Sequence, residues 1–275
     1  MRTVIEETRG IYDLTHRQIT LTPSGQAMMA YLWQDWGGYL GQLSWTTRDQ
    51  LRELTRATGL APRTTGLDLC CGTGGIARYL AEATGCAMTG LDYSAPAIEI
   101  ARRAGTAVRP PIRFDHGDAR ALPYPAATFD AVVSVDSLVI VPDRHRVVAE
   151  CARVLKPGGR LVFTDEVLTG PYPRDPDTLR ALSVYGRLFP QTPSGYRRLL
   201  AHAGFVDIGI RDTTAMFVAI NRRWAESYRR FAKQGREVLG DKLFDDGLAF
   251  FETLAEQGAA RRLGQVRVRA TRGPA

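Results

Sequence analysis

A glycine-rich turn is the first feature of the sequence that could bind a ligand. The segment GLDLCCGTGGIA, residues 66–77, joins an apolar run to a helical pattern and places glycines at 72, 74 and 75. Glycine lets a ligand approach the backbone closely, and the first turn of the following helix presents unpaired N–H groups with a partial positive charge. The turn therefore predicts a site for an anionic or polar cofactor.

Two carboxylates near this turn leave the identity of the cofactor open. Asp92 lies near the distance of about 20 residues expected for a ribose-binding acid, so that Gly72-x-Gly74-x-x-Ala77 fits a dinucleotide fingerprint. If the motif is taken to begin at Asp68, the same segment fits a different nucleoside cofactor. The rest of the chain is needed to distinguish the two cofactors.

From residue 64 onward, short strand-like runs alternate with helical patterns. Strands are predicted over residues 64–70, 86–92, 112–118, 129–135 and 160–166, with two later strand-like runs at 205–212 and 264–270. The intervening patterns end at glycines such as Gly85 and Gly105, as helices often do. This alternation predicts an α/β fold with a doubly wound, mostly parallel, seven-stranded sheet, whose ligands bind beyond the carboxyl ends of the strands.

Two helical segments lie outside this alternation. Residues 1–60 are rich in aromatic residues and helical in pattern, and they predict an N-terminal cover. Residues 214–262 fall between the last two strands and place Trp224, Tyr228 and Phe231 on one helical face, which predicts a helical lid. The cofactor-binding core would then comprise residues 61–213 and 263–275.

Composition limits the class of protein. The 275 residues are 44% hydrophobic, enough for one large α/β domain with an insertion. No segment has the apolar length of a signal peptide or a membrane span, which predicts a cytoplasmic protein without a membrane partner. The four cysteines lack metal-ligand spacing, so no metal is expected. The net charge of +7 is dispersed, which favours a solvated surface over a nucleic-acid partner.

Five motifs in order resemble those of the class I S-adenosylmethionine-dependent methyltransferases. They cover residues 64–166 and read LDLCCGTGG, GLDYS, FDHGDARALPY, FDAVVSVDSLVIVPD and RVLKPGGRLVFTDE. The later helix SGYRRLLAHAGF and the late insertion are similar to the small-molecule branch, which includes glycine and sarcosine N-methyltransferases, quinone-biosynthesis enzymes and natural-product methyltransferases. One departure is Cys70, where many members have glycine. The resemblance implies S-adenosylmethionine as the cofactor and S-adenosylhomocysteine as its product.

The resemblance also implies roles for individual residues. Asp68 would lie near the amino-acid portion of the cofactor, and Gly72 and Gly74 would make room for it. Asp92 would accept hydrogen bonds from both ribose hydroxyls, which suits a carboxylate with two charge-assisted acceptors. Asp118, with the Ala119 backbone, would recognise adenine. Further cofactor contacts are expected from Tyr93, Val135 and Asp136.

The N-terminal segment adds candidates for covering the cofactor. IYDLTHRQ and YLWQDWGGYLGQ resemble the segments that precede the core in glycine and sarcosine methyltransferase relatives. By this resemblance Tyr12, Tyr31 and Trp36 would cover the bound cofactor. The alternative for each aromatic residue is ordinary packing.

Methyl transfer from a sulfonium is an in-line displacement, for which the protein must hold the acceptor about 3 to 3.5 Å away and exclude water. A base is needed only when the acceptor must lose a proton. Candidates are Glu166 and Asp165, adjacent at the end of the fifth strand and so on opposite faces, and His16 in the N-terminal cover. The expected acceptor is a metabolite or natural-product intermediate, methylated at N, O or C. A homodimer is compatible with the sequence.

Three other functions are alternatives to a small-molecule methyltransferase. A nicotinamide-dependent dehydrogenase would explain Gly72 to Asp92 but not the GDA and VSVDSL segments that follow. The sequence also leaves open a noncatalytic module that only binds the cofactor. Against an RNA methyltransferase stand the lack of an added binding domain and of an Asn/Asp-Pro-Pro-aromatic signature after the fourth strand.

Overall fold

In a computed structural model of the chain, which describes residues 4–41, 43–105 and 111–274, three helices precede the first strand. They are α1 (Val4–Leu21), α2 (Pro23–Trp33) and α3 (Arg48–Thr58), with a 3-10 turn at Gln34–Trp36 after α2. Local capping explains where two of them begin. Thr22 accepts a hydrogen bond from the Gly25 amide, and Thr47 forms a capping box with Gln50.

The core alternates strands and helices as the sequence predicts. Its elements in chain order are β1 (Thr65–Leu69), α4 (Gly75–Thr84), β2 (Ala87–Asp92), α5 (Ala95–Gly105), β3 (Arg113–His116), β4 (Phe129–Val135), α6 (Arg144–Val154) and β5 (Leu155–Leu168). β3 is shorter than predicted, and β5 begins before the predicted start.

The remaining elements follow β5. They are α7 (Pro176–Leu182), α8 (Pro193–His202), β6 (Phe205–Asp212), α9 (Thr214–Arg230), α10 (Ala232–Leu239), α11 (Asp241–Ala259) and β7 (Leu263–Arg272). The short helix α7, whose first turn is capped by Asp175, was not anticipated from the sequence. None of the helices in the described ranges is long and apolar enough to cross a membrane.

The strands form one sheet in the order β3-β2-β1-β4-β5-β7-β6. The pairs among β1 to β5 are parallel, whereas β7 runs antiparallel to both β5 and β6. The predicted seven-stranded, mostly parallel sheet is therefore confirmed. The winding direction reverses between β1 and β4, and at such a point the carboxyl ends of the strands open a crevice for ligands.

The central strands β1 and β4 are buried on both faces of the sheet, which explains why they read as nearly continuous apolar runs. Leu67 and Val132 face a core cluster that includes residues of α6 and α8. Ala131 and Val133 face another cluster that includes residues of α3, α4 and α5. This packing fixes the strand ends around the crevice.

A third cluster joins α9 and α11 to the N-terminal helices. Its centre, called here the aromatic cluster, consists of the buried side chains Phe217, Trp224, Tyr228, Phe250 and Phe251. It packs against Trp33 of α2 in the same core. The helices α9 to α11 occupy the interval between β6 and β7. That residues 214–262 act as a lid, and the domain boundaries given above, stay predictions.

Candidate active site

The glycine-rich turn opens onto a cavity at the carboxyl ends of β1, β2 and β4. The cavity has an empty volume of about 1160 Å³ including its open mouth. Its walls include most of the residues expected at a cofactor site: Tyr12, His16, Asp68, Gly72, Asp92, Tyr93, Asp118, Ala119, Val135 and Asp136.

Asp68 presents a buried, incompletely paired carboxyl group to this cavity. The residue is 1% exposed, and its Oδ2 has no hydrogen-bond partner among the described residues. Burial raises the pKa of this carboxyl to about 8, an effect that a hydrogen bond from the Ala77 backbone opposes. A cationic group on a ligand would supply the missing partner.

Asp92 connects the end of β2 to the glycine-rich turn. Its Oδ2 accepts a hydrogen bond from the Gly72 amide at 2.8 Å, and its Oδ1 accepts one from the Ser94 amide at 2.8 Å. Each carboxylate oxygen can accept a further bond, as a ribose diol requires. Gly72 has φ +52, and a Cβ there would lie 3.1 Å from His16 Cε1. Glycine at 72 therefore keeps this wall of the cavity open.

Gly74 and Trp36 are not among the residues that line the cavity, and their cofactor roles stay predictions. Gly74 has φ +75, and a Cβ there would lie 2.5 Å from the Phe114 ring, so close packing in the core requires glycine. Trp36 packs edge-on against Trp33, with ring centroids 6.2 Å apart, at the margin of the third core. Cys70, by contrast, lines the cavity with φ +60, a conformation that glycine adopts more easily.

The expected adenine end contains an ion pair that the sequence interpretation missed. Arg120 donates from Nε to Asp118 Oδ1 at 3.0 Å and from Nη2 to Oδ2 at 2.7 Å. These hydrogen bonds hold the pKa of the Asp118 carboxyl below its usual range. Arg9 lies over the Tyr93 ring at 5.6 Å from its centroid. The spacing of Asp118 and Arg120 was visible in the sequence, whereas the approach of Arg9 depends on where α1 lies.

Helix α1 covers the cavity from the side of β2. Asp13 accepts a hydrogen bond from the Ser94 hydroxyl at 2.5 Å, and His16 lies against Gly72. His16 is buried, its Nδ1 has no partner in the described ranges, and burial lowers its pKa. This position makes His16 a candidate for contact with the cofactor rather than a base for the acceptor. Tyr12 lines the cavity, whereas Tyr31 bonds Glu226 on the outer side of α9.

Asp136 ties the segment before α3 to the end of β4. Its carboxylate accepts hydrogen bonds from the Trp45 amide at 2.8 Å, the Thr46 hydroxyl at 3.0 Å and the Gln265 side chain at 2.8 Å. Trp45 Nε1 in turn donates to Asn221 Oδ1 in α9 at 2.6 Å. No local pattern in the sequence indicates these long-range contacts, which connect the cavity wall to α9.

Asp165 forms two buried hydrogen bonds on the α8 side of the sheet, and its catalytic role stays a prediction. Its Oδ1 accepts a hydrogen bond from the Val139 amide at 2.9 Å, and the Tyr196 hydroxyl donates to its Oδ2. Burial raises its pKa to about 7, and the nearby Arg144 opposes this shift. Asp165 therefore holds the turn after β4 in place from the α8 side of the sheet.

Glu166 points to the opposite face of β5. Two residues before it Thr164 lies beside Thr46, and two residues after it Leu168 packs against the third core, so all three share one face. Glu166 is 2% exposed, and neither carboxyl oxygen has a hydrogen-bond partner in the part of the chain that the structure describes. Burial, and then the charges of Asp165 and Asp136, raise its pKa well above the usual range.

The donors and acceptors around the cavity suit a nucleoside cofactor with a cationic end. Asp68 can pair with an amino group, Asp92 with a ribose diol, and the first turn of α4 offers backbone N–H groups. Within the described ranges, no group of three or more His, Cys, Asp or Glu side chains could hold a metal ion. These features fit S-adenosylmethionine.

Comparison with known proteins gives matches along most of the chain. A family model described as a methyltransferase domain matches residues 67–163. The chain is 32% identical over 237 residues to 27-O-demethylrifamycin SV methyltransferase of Amycolatopsis mediterranei, covering 82% of this chain and 87% of that protein. It is 33% identical over 173 residues to sarcosine/dimethylglycine N-methyltransferase of Halorhodospira halochloris, covering 61% and 60%.

A solved structure shares the fold at lower identity. Phosphoethanolamine N-methyltransferase 2 of Haemonchus contortus, in complex with S-adenosyl-L-methionine, superposes with a TM-score of 0.77 and 19% identity. The match covers 92% of this chain and 58% of that chain.

Proposed function

The chain belongs to the class I S-adenosylmethionine-dependent methyltransferases, and we propose that it methylates a metabolite or natural-product intermediate bound beneath helices α9 to α11. It is an enzyme that uses S-adenosylmethionine and acts on small molecules. The observation that carries the acceptor proposal is Glu166, a buried carboxyl group without a hydrogen-bond partner among the described residues, on the same face of β5 as Leu168, which packs against the third core.

Residues of the crevice would hold the cofactor. When bound, S-adenosylmethionine supplies an electrophilic methyl group on its sulfonium. In this proposal Asp68 holds the amino group, Asp92 holds the ribose diol, and Asp118 with Ala119 recognises adenine. Tyr12 on α1 excludes water from the bound cofactor, because it lines the cavity wall together with Asp136.

Glu166 would contact the acceptor and take its proton. Burial raises the pKa of the Glu166 carboxyl, so its ionised form is a stronger base than an ordinary glutamate. The relatives named above include one methyltransferase that acts on an O-demethyl compound and one N-methyltransferase, so their names do not fix the methylated atom.

Nucleic acid has no part in this proposal, because basic residues of the insertion pair with acids on its own surface. Arg229 pairs with Glu252, and Arg236 pairs with Asp241 and with Asp245 at 3.1 and 2.6 Å. This pattern supports the predicted solvated face rather than a phosphate-binding stripe.

The test of the acceptor role is Glu166→Gln, which keeps the shape of the side chain and removes its proton-accepting charge. With an acceptor found by screening phenols, amines and indoles with labelled cofactor, turnover should fall about 10² to 10⁴-fold at unchanged cofactor affinity. Glu256→Gln, an exposed glutamate on α11, is the matched control and should keep parent turnover. Parent-like turnover in Glu166→Gln would contradict the assigned role.

A further inference from the structure

His16 is a buried, incompletely paired side chain in the wall of the cofactor cavity. The residue is 6% exposed, and its Nδ1 has no hydrogen-bond partner in the described ranges. It lines the same cavity as Asp68 and Asp92. Buried polar groups are normally paired, because an unmade hydrogen bond there costs free energy. An incompletely paired imidazole in the wall of an open cavity therefore indicates a contact with the ligand.

The ring of His16 lies against the glycine-rich turn. Its Cε1 and Nε2 lie 3.1 and 3.6 Å from the position that a Cβ at residue 72 would take. The amide of the same Gly72 donates to Asp92 Oδ2 at 2.8 Å. His16 and Asp92 therefore approach one glycine from two sides, His16 from α1 and Asp92 from the end of β2.

A second contact fixes α1 at this end of β2. The Ser94 hydroxyl donates to Asp13 at 2.5 Å, and the Ser94 amide donates to Asp92 Oδ1 at 2.8 Å. Residues three apart are neighbours on a helix surface, so Asp13 and His16 share the face of α1 that meets β2. The position of the imidazole is therefore set by contacts with the cofactor cavity.

A gap separates His16 from Asp92. Both residues belong to the described part of the chain, and no direct hydrogen bond joins them. Burial lowers the pKa of His16, and the nearby charges of Asp92 and Asp13 oppose that shift. At pH 7 the imidazole is then neutral and carries one N–H donor. A ligand hydroxyl suits this gap, because it can donate to the carboxylate and accept from the ring.

The order of the strands indicates which hydroxyl this is. Strands β3, β2 and β1 are adjacent in that order, so Asp118, Asp92 and Asp68 follow one another along the edge of the sheet. In the cofactor placement proposed above, adenine, ribose and the amino-acid portion follow the same order. The ribose 2′-hydroxyl is nearer to adenine, and the 3′-hydroxyl is one carbon closer to the sulfonium. Gly72 belongs to the turn after Asp68, so the Asp92 oxygen that it binds lies on the 3′ side.

Building on that cofactor placement, we propose that His16 and Asp92 together bind the ribose 3′-hydroxyl of the cofactor. The hydroxyl donates to Asp92 Oδ2, and the N–H of His16 donates to the hydroxyl oxygen. The 2′-hydroxyl donates to Asp92 Oδ1 on the side of Ser94. His16 is thus a specificity-determining residue for the cofactor, supplied by the N-terminal helix.

Cofactor analogues that lack one hydroxyl test this contact. Calorimetry on the full chain would compare S-adenosylhomocysteine with its 2′-deoxy and 3′-deoxy analogues, in the parent and in His16→Phe, which keeps a ring and removes both nitrogens. The parent should bind the 3′-deoxy analogue at least ~10-fold more weakly than S-adenosylhomocysteine. His16→Phe should weaken binding of S-adenosylhomocysteine and of the 2′-deoxy analogue by roughly 3- to 10-fold, and should leave binding of the 3′-deoxy analogue at the parent value. His202→Phe, which changes an exposed histidine on α8, is the matched control and should change none of the three affinities.

Three results in His16→Phe would overturn the proposal. Parent-like affinity for S-adenosylhomocysteine would show that His16 makes no contact with the cofactor. An equal loss for all three compounds would indicate that His16 only packs α1 in place, and a loss that spares the 2′-deoxy analogue would move the contact to the other hydroxyl. If His16→Phe fails to fold, His16→Leu is the second variant, with the same expected pattern.

The parent protein separates these failures from an error in the cofactor placement. If the parent binds the 3′-deoxy analogue as tightly as S-adenosylhomocysteine, the position of the ribose beside Asp92 is wrong, and the role of His16 is wrong with it. Binding of S-adenosylhomocysteine by the parent, measured in the first titration, tests the cofactor assignment on its own.

Discussion

Binding of S-adenosylmethionine should release a proton from Asp68. In the free protein this carboxyl is 1% exposed, lacks a partner at Oδ2, and has a pKa raised to about 8 by burial. The cofactor places a positive amino group beside it in the proposed complex. An adjacent cation favours the carboxylate, so the group should be protonated before binding and ionised after it.

The expected magnitude follows from the raised pKa. At pH 6.5 a carboxyl group with a pKa of about 8 is about 97% protonated, so binding should release close to one proton. Ionising the group at that pH costs about 2 kcal/mol, from 1.36 kcal/mol for each pH unit below the pKa. The affinity should therefore rise with pH between about 5 and 7.5 and fall above about 8, where the cofactor's own amino group loses its proton.

Calorimetry in two buffers of different ionisation enthalpy measures the proton directly. The cofactor's own amino group, with a pKa of about 7.7 to 8.0, stays protonated at pH 6.5 and contributes little. For one released proton, the apparent binding enthalpies in phosphate and in imidazole should differ by about the difference between the ionisation enthalpies of the two buffers. Asp68→Asn should abolish the difference, because asparagine cannot titrate. Equal enthalpies in the parent protein, or the same proton release in Asp68→Asn, would refute the reasoning.

Three further substitutions test separate parts of the site. Asp92→Ala should weaken S-adenosylmethionine binding by roughly 1.5 to 3 kcal/mol by calorimetry, because it removes a charged hydrogen-bond acceptor; parent-like affinity in the folded variant contradicts that role. Trp224→Ala should impair acceptor turnover more than cofactor affinity, whereas a loss of thermal stability alone indicates a packing role. Tyr196→Phe should lower the free energy of unfolding by about 1 to 3 kcal/mol in urea, and no change contradicts the structural role of Asp165.

Much of the core could be predicted because its signals are local. The strand at residues 129–135 and the glycine-ended helix before Gly85 depend on short-range patterns, and the structure confirms both. Asp68 and Asp92 could be placed because each lies near the carboxyl end of an apolar strand that meets the crevice. Successive side chains along β5 point to opposite faces, so the sequence predicts that Asp165 and Glu166 lie on different faces. It does not show which of the two faces the proposed acceptor.

The remaining features depend on contacts between distant segments. Trp45 reaches Asp136 and Asn221 across more than 90 and 170 residues of sequence, and no local pattern encodes those hydrogen bonds. His16 was expected near the acceptor, but the packing of α1 places it against Gly72. Gly74 was predicted to contact the cofactor because glycine serves close packing and ligand approach alike, and only the position of Phe114 shows its packing role.

The most direct test of the central claim is a methyl-transfer measurement with isotope-labelled S-adenosylmethionine and a library of phenols, amines and indoles. Mass spectrometry should find a small-molecule product that carries the labelled methyl group, together with an equal amount of S-adenosylhomocysteine. Glu166→Gln should form that product about 10² to 10⁴-fold more slowly, and Glu256→Gln at the parent rate. The result that would contradict the account is a protein that binds S-adenosylmethionine but transfers the label to no small molecule.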